Sequence, residues 1–226
     1  MAGYYDEKLA AERLKKCYAI APPAARVYLE AEIIFVLSRI GRGERVLELG
    51  CGYGRVLARL ANGRREIFGI DTSLASVCLA REELRGARHV RLAVMNALRL
   101  GFPPGAFDRV ICIQNGISAF HVDPEPLLRE ALRVTRPGGS ALFSSYAERF
   151  WEARLAWFEA QAAHGLLGEI DREATGGGVI VCKDGFRATT FRPRDFERLG
   201  RAAGVAPCIA EMDGSSIFAE FTRPDA

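Results

Sequence analysis

The apolar positions of this chain change their period twice. Between residues 6 and 40 they recur at helical spacing in two segments, 6–18 and 24–40, parted by Pro22-Pro23. In the second segment Val27, Leu29, Ile33, Ile34, Val36 and Leu37 carry the repeat, and Gly41-Arg42-Gly43 ends it. From there to residue 146, short apolar runs alternate with amphipathic stretches. The runs predict strands at 45–49, 66–70, 90–94, 109–114 and 140–145; the stretches predict helices at 54–62, 73–85 and 124–135, with a further one over 147–163. Such alternation predicts a parallel sheet covered by helices on both faces. Pro137-Gly138-Gly139 predicts a turn just before the fifth strand.

After Tyr146 the alternation breaks. The helix over 147–163 is rich in aromatics, and residues 165–178 are loop-like. Strands at 179–181 and 186–191 join through Lys183-Asp184-Gly185, a hairpin signal. A helix over 193–203 opens with a proline. Strands at 208–212 and 217–221 are joined by Asp213-Gly214-Ser215-Ser216. With no repeat or linker, residues 1–226 are predicted to form a single α/β domain.

Composition narrows the classes. The 226 residues carry a net charge of +3, and the basic residues are scattered, nearly all of them arginine. A nucleic-acid-binding face, which concentrates basic charge, is not indicated. The N-terminal stretch is polar, and nowhere do ~18 consecutive apolar residues offer a membrane span, so a cytoplasmic enzyme is expected. Six cysteines are present without a C-x-x-C pair or a histidine at zinc-finger spacing. They are expected as reduced thiols, with Cys78 and Cys112 acting as small core hydrophobes.

Candidate chemistry starts at Val46-Leu47-Glu48-Leu49-Gly50-Cys51-Gly52-Tyr53-Gly54-Arg55. A strand ends in an acid, three glycines alternate, and a helix begins. Gly50, Gly52 and Gly54 strip side chains from the backbone where a ligand comes close. The spacing is G-x-G-x-G, not the dinucleotide pattern G-x-G-x-x-G. Later strand ends add polar groups: Asp71, placed for both hydroxyls of a ribose, with Thr72 beside it; Asn96 and Ala97, placed for an adenine edge; and Gln114 after the fourth strand. Cys51 belongs to the same glycine loop. Glu48 either touches the cofactor or orders the loop by accepting its N–H groups.

These residues, with Gly69-Ile70-Asp71, Phe107-Asp108-Arg109-Val110-Ile111 and Leu132-Arg133-Val134-Thr135-Arg136-Pro137-Gly138-Gly139, resemble the class I S-adenosylmethionine-dependent methyltransferases. The look is similar to the small-molecule branch that includes ubiquinone-biosynthesis methyltransferases. The resemblance implies a Rossmann-like seven-stranded sheet, mostly parallel, with the last strand antiparallel. It implies S-adenosylmethionine as cofactor, with Gly50, Gly52 and Gly54 around its methionine part, Asp71 on the ribose, and Asn96 with Ala97 against the adenine. The family often has Asp where Asn96 stands. It also implies an N-terminal helical lid over 1–40, to which Tyr4, Tyr5 and the cofactor-binding candidate Tyr18 belong unless they only pack the first helix. Residues 147–191 then form a cap inserted between the fifth strand and the last helix.

Methyl transfer from a sulfonium needs alignment more than acid–base help, so catalytic candidates are few. His121 is the candidate base, or else an exposed or capping histidine. Tyr146 lines the acceptor pocket or merely packs. His89 and His164 are expected to be structural. Trp151, Trp157 and Phe158 wall an apolar acceptor or form core; Arg149, Arg154 and Arg172 bind an anionic acceptor or, as expected, form a solvated face. No metal is expected, and a metalloid site would require Cys51, Cys182 and Cys208 to converge. DNA-base methylation is disfavoured, because Gln114-Asn115-Gly116-Ile117 stands where an Asn/Asp-Pro-Pro-aromatic motif would. The expected partner is a small-molecule acceptor, with no DNA or membrane, for a monomer or homodimer. The rivals are a protein or RNA methyltransferase with a broad open groove, a non-catalytic S-adenosylmethionine binder, and a nicotinamide-dependent oxidoreductase.

Overall fold

Seven strands lie side by side in the order β3-β2-β1-β4-β5-β9-β8 in a computed structural model that describes residues 4–61 and 66–225. They are β1 (Arg45–Leu49), β2 (Glu66–Asp71), β3 (Val90–Val94), β4 (Phe107–Cys112), β5 (Thr135–Tyr146), β8 (Pro207–Met212) and β9 (Ser216–Thr222). β1 to β5 pair in parallel, and β9 runs antiparallel to both β5 and β8. The expected mostly parallel sheet with an antiparallel last strand is present. Strand order reverses between β1 and β4, the place where sheets of this kind open a crevice.

Both faces are buried because alternate strand residues are apolar in both directions. Leu47, Leu49, Phe68, Val110 and Phe143 share one cluster with Leu127 and Leu128 of α7 (Pro124–Val134) and Phe196 of α9 (Pro193–Ala203). Val46, Ile67, Ile111 and Leu142 share the other with Ile33 and Val36 of α3 (Pro23–Arg39) and with Val56 and Leu57 of α4 (Arg55–Leu60). Thus α3, expected within a lid, packs largely on the sheet. The expected helix 54–62 is seen over Arg55–Leu60, and its residue 62 lies outside the described residues.

Other departures have local causes. The expected turn at Pro137-Gly138-Gly139 lies inside β5: Phe107 pairs with Thr135 and Arg109 with Ser140, so the extra residues bulge out. Gly138 takes φ +68°, and a Cβ on Gly139 would stand 2.6 Å from the Asp108 carbonyl oxygen. The segment 6–18 is broken into α1 (Tyr4–Glu7) and α2 (Ala11–Ala19), with Ala11 at φ +49°. β4 ends two residues earlier than expected, and a short α6 (Gly116–Ala119) follows. α5 (Leu74–Glu83) and α8 (Trp151–Ala163) occupy their expected segments, and β6 (Val179–Val181) with β7 (Arg187–Thr189) forms a separate hairpin.

The N-terminal helices and the segment after β5 bury one another. Leu9 and Cys17 meet Phe158, Leu166, Leu167, Ile180 and Phe186 in a core of their own, with Tyr4 and Tyr5 packed against it. Among the described residues no helix is long and apolar enough to cross a membrane.

Candidate functional site

A cavity of about 220 Å³ opens at the carboxyl ends of the central strands. Its floor is the loops after β1 to β4, and its other wall is Tyr5, Leu9 and α2 residues Leu14 and Tyr18. The glycine loop is held against β2. Cys51 N–H donates to the Ile70 carbonyl at 2.9 Å, and Gly52 N–H donates to Asp71 Oδ2 at 2.9 Å. Asp71 Oδ1 accepts from Ser73 N–H at 2.9 Å. So Asp71 takes the loop-ordering bond to the glycine turn that was one reading of Glu48. Glycine at 52 has two reasons: φ is +51°, and a Cβ would stand 2.9 Å from the Leu14 side chain.

Three side chains bring unsatisfied polar atoms to this cavity. Glu48 is buried, and its Oε2 has no hydrogen-bond partner among the described residues. Burial raises its pKa to about 8; Arg55 pulls it down and Asp71 pushes it up. Arg55 lies over the Tyr18 ring at 4.8 Å, and its Nε and Nη2 are buried without partners, as is Gln114 Nε2. Buried polar atoms in native proteins are almost always paired. A carboxyl, a guanidinium and an amide left open together fit a ligand that carries both charges and hydrogen-bonding groups. The close backbone at Gly50 and Gly52 fits the same kind of ligand.

Gln114 and Asn115 both take left-handed backbone, φ +58° and +59°, which is strained for residues with side chains. The surroundings hold them there. Gln114 N–H donates to Glu32 Oε2 at 2.6 Å and to Ser144 Oγ at 2.8 Å, and the Ser144 hydroxyl donates to Glu32 at 2.9 Å. Ser145 Oγ donates to Asn115 Oδ1 at 2.7 Å. Glu32, on α3, is fully buried, and burial raises its pKa to about 7 against the lowering effect of those hydrogen bonds.

The fold brings Tyr18, Glu48, Gly50, Cys51, Gly52, Asp71, Thr72, Asn96, Ala97 and Gln114 to this one cavity. Gly54 is not part of its lining: it precedes α4 at φ +86°, and a Cβ there would stand 2.9 Å from Leu84. His121 and Tyr146 also lie outside the lining. His121 follows α6 at φ +51°, with its pKa lowered by burial and by Arg187. Tyr146 walls a second cavity of about 190 Å³ together with Trp151, Arg154, Thr190 and Arg192. Arg154, expected on a solvated face, is instead fully buried. Arg149 and Arg172 are exposed and paired with Glu211 and Glu159. Trp157 and Phe158 are core, Trp157 donating through its indole N–H to the Cys17 carbonyl at 3.0 Å. His89 and His164 bond to main-chain carbonyls.

Arg55 and Glu32 escaped the sequence reading, yet each leaves a signal. A cation in the first turn of a helix opposes the helix dipole, so Arg55 calls for another partner. Glu32 is an acid inside the apolar repeat of α3, where a charge is rarely buried without cause. Among the described residues no group of three His, Cys, Asp or Glu is arranged to hold a metal ion. The six thiols are unpaired, with Cys51 and Cys182 buried and Cys208 exposed.

Comparison with known proteins finds methyltransferases. Residues 46–139 match the family of methyltransferase domains. The chain is 31% identical over 150 residues to the 2-methyl-6-phytyl-1,4-hydroquinone methyltransferase of Synechocystis sp., covering 58% of this chain and 46% of that one. It is 31% identical over 142 residues to the ubiquinone/menaquinone biosynthesis C-methyltransferase of Yersinia pestis, covering 59% and 55%. The chain thus spans about half the length of the curated relatives it matches. In fold it is similar to geranyl diphosphate C-methyltransferase from Streptomyces coelicolor, solved with Mg²⁺, geranyl diphosphate and S-adenosyl-L-homocysteine: TM-score 0.59 at 17% identity, over 86% of this chain and 79% of that one.

Proposed function

We propose that this chain, whose residues 46–139 match the family of methyltransferase domains, is a class I S-adenosylmethionine-dependent methyltransferase that transfers the cofactor's methyl group to a small-molecule acceptor. The observation that carries this reading is the single cavity in which the glycine loop meets Asp71, Asn96 and Gln114, with the open polar atoms of Glu48, Arg55 and Gln114 on its wall. When bound, the sulfonium supplies an already activated methyl group for in-line displacement. Asp71 accepts from the ribose hydroxyls, and Asn96 with Ala97 borders the adenine. Glu48 offers its carboxyl to the cationic amino-acid end, and Gly50 to Gly52 give backbone approach there. The chain's remaining task is to hold the acceptor in line and keep water out. We assign that task to a lid from α1 and α2 of the N-terminal segment 1–40 and a cap over 147–191.

A small acceptor is favoured over a protein or an RNA because Tyr5, Leu9, Leu14 and Tyr18 roof the cavity, where a macromolecular acceptor needs an open groove. Of the two sequence candidates for catalysis, Tyr146 serves acceptor binding better than His121, since it borders a cavity. The small net charge and the scatter of basic residues along the chain go with a cytoplasmic enzyme without DNA or membrane partners, acting as a monomer or homodimer. Titration calorimetry with S-adenosylmethionine and S-adenosylhomocysteine tests the cofactor half, and no binding of either overturns it. Release of S-adenosylhomocysteine on a panel of hydroquinones, phenols and aromatic acids tests the transfer. Tight binding with no turnover on any of them supports the non-catalytic binder instead.

A further inference from the structure

Among the described residues Arg154 is a buried cation without a counter-ion. It is 0% exposed, and no carboxylate among the described residues pairs with it. Its Nη1 donates to the Gly178 carbonyl at 3.1 Å and to Thr190 Oγ1 at 2.6 Å, and its Nη2 to the Ala188 carbonyl at 3.0 Å. The guanidinium lies 4.3 Å from the Tyr146 ring centroid. Its Nε has no hydrogen-bond partner among the described residues. Neutral oxygens and ring faces offset part of the cost of burying a charge; an anion would offset much more.

The cavity beside it has the shape and charge for one. Tyr146 and Trp151 supply flat apolar walls, and Arg192 and Glu148 stand on the same lining. Glu148 is already bonded to Arg192, whose Nη2 also donates to the Gly177 carbonyl at 3.0 Å. Two cations and one carboxylate leave the lining one positive charge in excess. The site therefore matches a monoanion with a planar body; with Nη1 and one Nη2 N–H already given to protein oxygens, Nε–H and the second Nη2–H are left for a carboxylate.

The two cavities meet through aromatic packing. Tyr18, on the wall of the first, packs against the buried cluster that contains Tyr146, which walls the second. We propose that the second cavity anchors the methyl acceptor. It holds the carboxylate of a small aromatic or conjugated acid on Arg154, while the acceptor's ring lies along Tyr146 and Trp151 and its reacting end passes Tyr5 and Tyr18. The acceptor class, though not the anion site itself, rests on the methyltransferase reading above.

The test uses ligand-observed NMR on the whole chain saturated with S-adenosylhomocysteine, titrated with benzoate, benzamide and phenyl phosphate. Benzoate is expected to bind at least tenfold more tightly than its neutral isostere benzamide. Arg154→Met is expected to lower benzoate affinity at least tenfold and to leave S-adenosylhomocysteine affinity within twofold. Because Arg154 also ties the hairpin to α8, that variant is paired with Arg192→Gln on the cavity rim. There the main-chain bond to Asp195 that starts α9 is kept, and weaker benzoate binding is again expected. Equal binding of benzoate and benzamide, benzoate affinity unchanged in both variants, no benzoate binding, or binding of phenyl phosphate alone each overturns the proposal. Failure of S-adenosylhomocysteine to bind overturns the cofactor reading instead, and the benzoate arm without it then decides the anion site by itself.

Discussion

The strand-end cavity and the cap cavity carry the same physical sign, a buried polar group left unpaired, and they reach it by opposite routes. At the strand ends the group is an acid. Glu48 lies where burial pushes its pKa to about 8, so at neutral pH it is mostly uncharged and waits for a cation. In the cap the group is Arg154, which cannot shed its charge at neutral pH and waits for an anion. The first site is made by loops that successive strands deliver to one edge. The second is made by residues 146–192 folding back on themselves and on the N-terminal helices. A site on a sheet edge inherits its geometry from the sheet, whereas a site in a cap lasts only as long as the cap's own small core.

That difference sets the largest expected effect. Phe186 is fully buried in the cap core, with Tyr4 at 5.0 Å, Phe158 at 5.7 Å and Tyr5 at 6.1 Å between ring centroids. Phe186→Ala should cost ~3–5 kcal/mol, the usual range for a buried aromatic. The loss should fall on the cap and N-terminal helices as one unit. Hydrogen exchange is expected to show the amides of 165–191 and of α2 opening together while β1, β4 and β5 keep their protection. Uniform loss across the sheet would show that the two regions are one cooperative body.

Asp71→Ala comes next and strikes the other region. It removes the carboxylate proposed for the ribose hydroxyls and the anchor of Gly52 N–H, so S-adenosylmethionine affinity should fall by ~1–3 kcal/mol. Asp71→Asn, which keeps an oxygen for Gly52, should recover part of that loss. Titration calorimetry reads both, and an unchanged affinity would sink the ribose assignment.

The two regions were unequally legible in the sequence. The strand-end site could be read because its parts follow from period and position: apolar runs of strand length, each followed by a glycine or a polar residue, all sent to one edge by the topology of parallel sheets. The bulge in β5 was hidden because Pro137-Gly138-Gly139 is equally a turn signal, and only pairing of Phe107 with Thr135 and Arg109 with Ser140 shows the strand passing through. Arg154 was misread because its helix carries no clear apolar stripe. Trp151 and Phe158 meet its guanidinium as neighbours three and four residues away on the same helix, but Tyr146 reaches it from the end of β5, a contact that helical spacing does not encode. Glu32 was missed for the same reason: its partners, Gln114 and Ser144, lie about half the chain away.

Glu48 gives a smaller effect with a defined sign. Its pKa in the free protein is raised to about 8, and a cationic ligand beside it favours the ionised form. Binding therefore releases a proton, and affinity for S-adenosylmethionine should rise with pH, by at most tenfold per unit, until it levels off near pH 8. Glu48→Gln should flatten that rise. An affinity that falls as pH increases from 6 to 8 would place Glu48 away from the ligand's positive end and weaken the contrast between the two sites.

The smallest expected effect belongs to His121. It stands behind α6, exposed, at a left-handed backbone position, and the positive charge of Arg187 on the cap hairpin acts on its imidazole. Burial and that charge both lower its pKa, so it is mostly neutral at pH 7, as a base must be. Yet it lines neither cavity, and a base has to come within hydrogen-bond reach of the proton it takes. Asparagine tolerates left-handed backbone better than most residues, so His121→Asn isolates the imidazole from the turn that carries it. We expect a turnover change below about twofold, under ~0.5 kcal/mol, with every ionisation in the pH–rate profile retained. Loss of one ionisation would mean that α6 moves when the acceptor binds and carries His121 into the space between the two cavities. The segment after β4 would then supply a proton acceptor to the chemistry beside the cap's anchor on Arg154, and the division of labour between sheet edge and cap would have to be redrawn around α6.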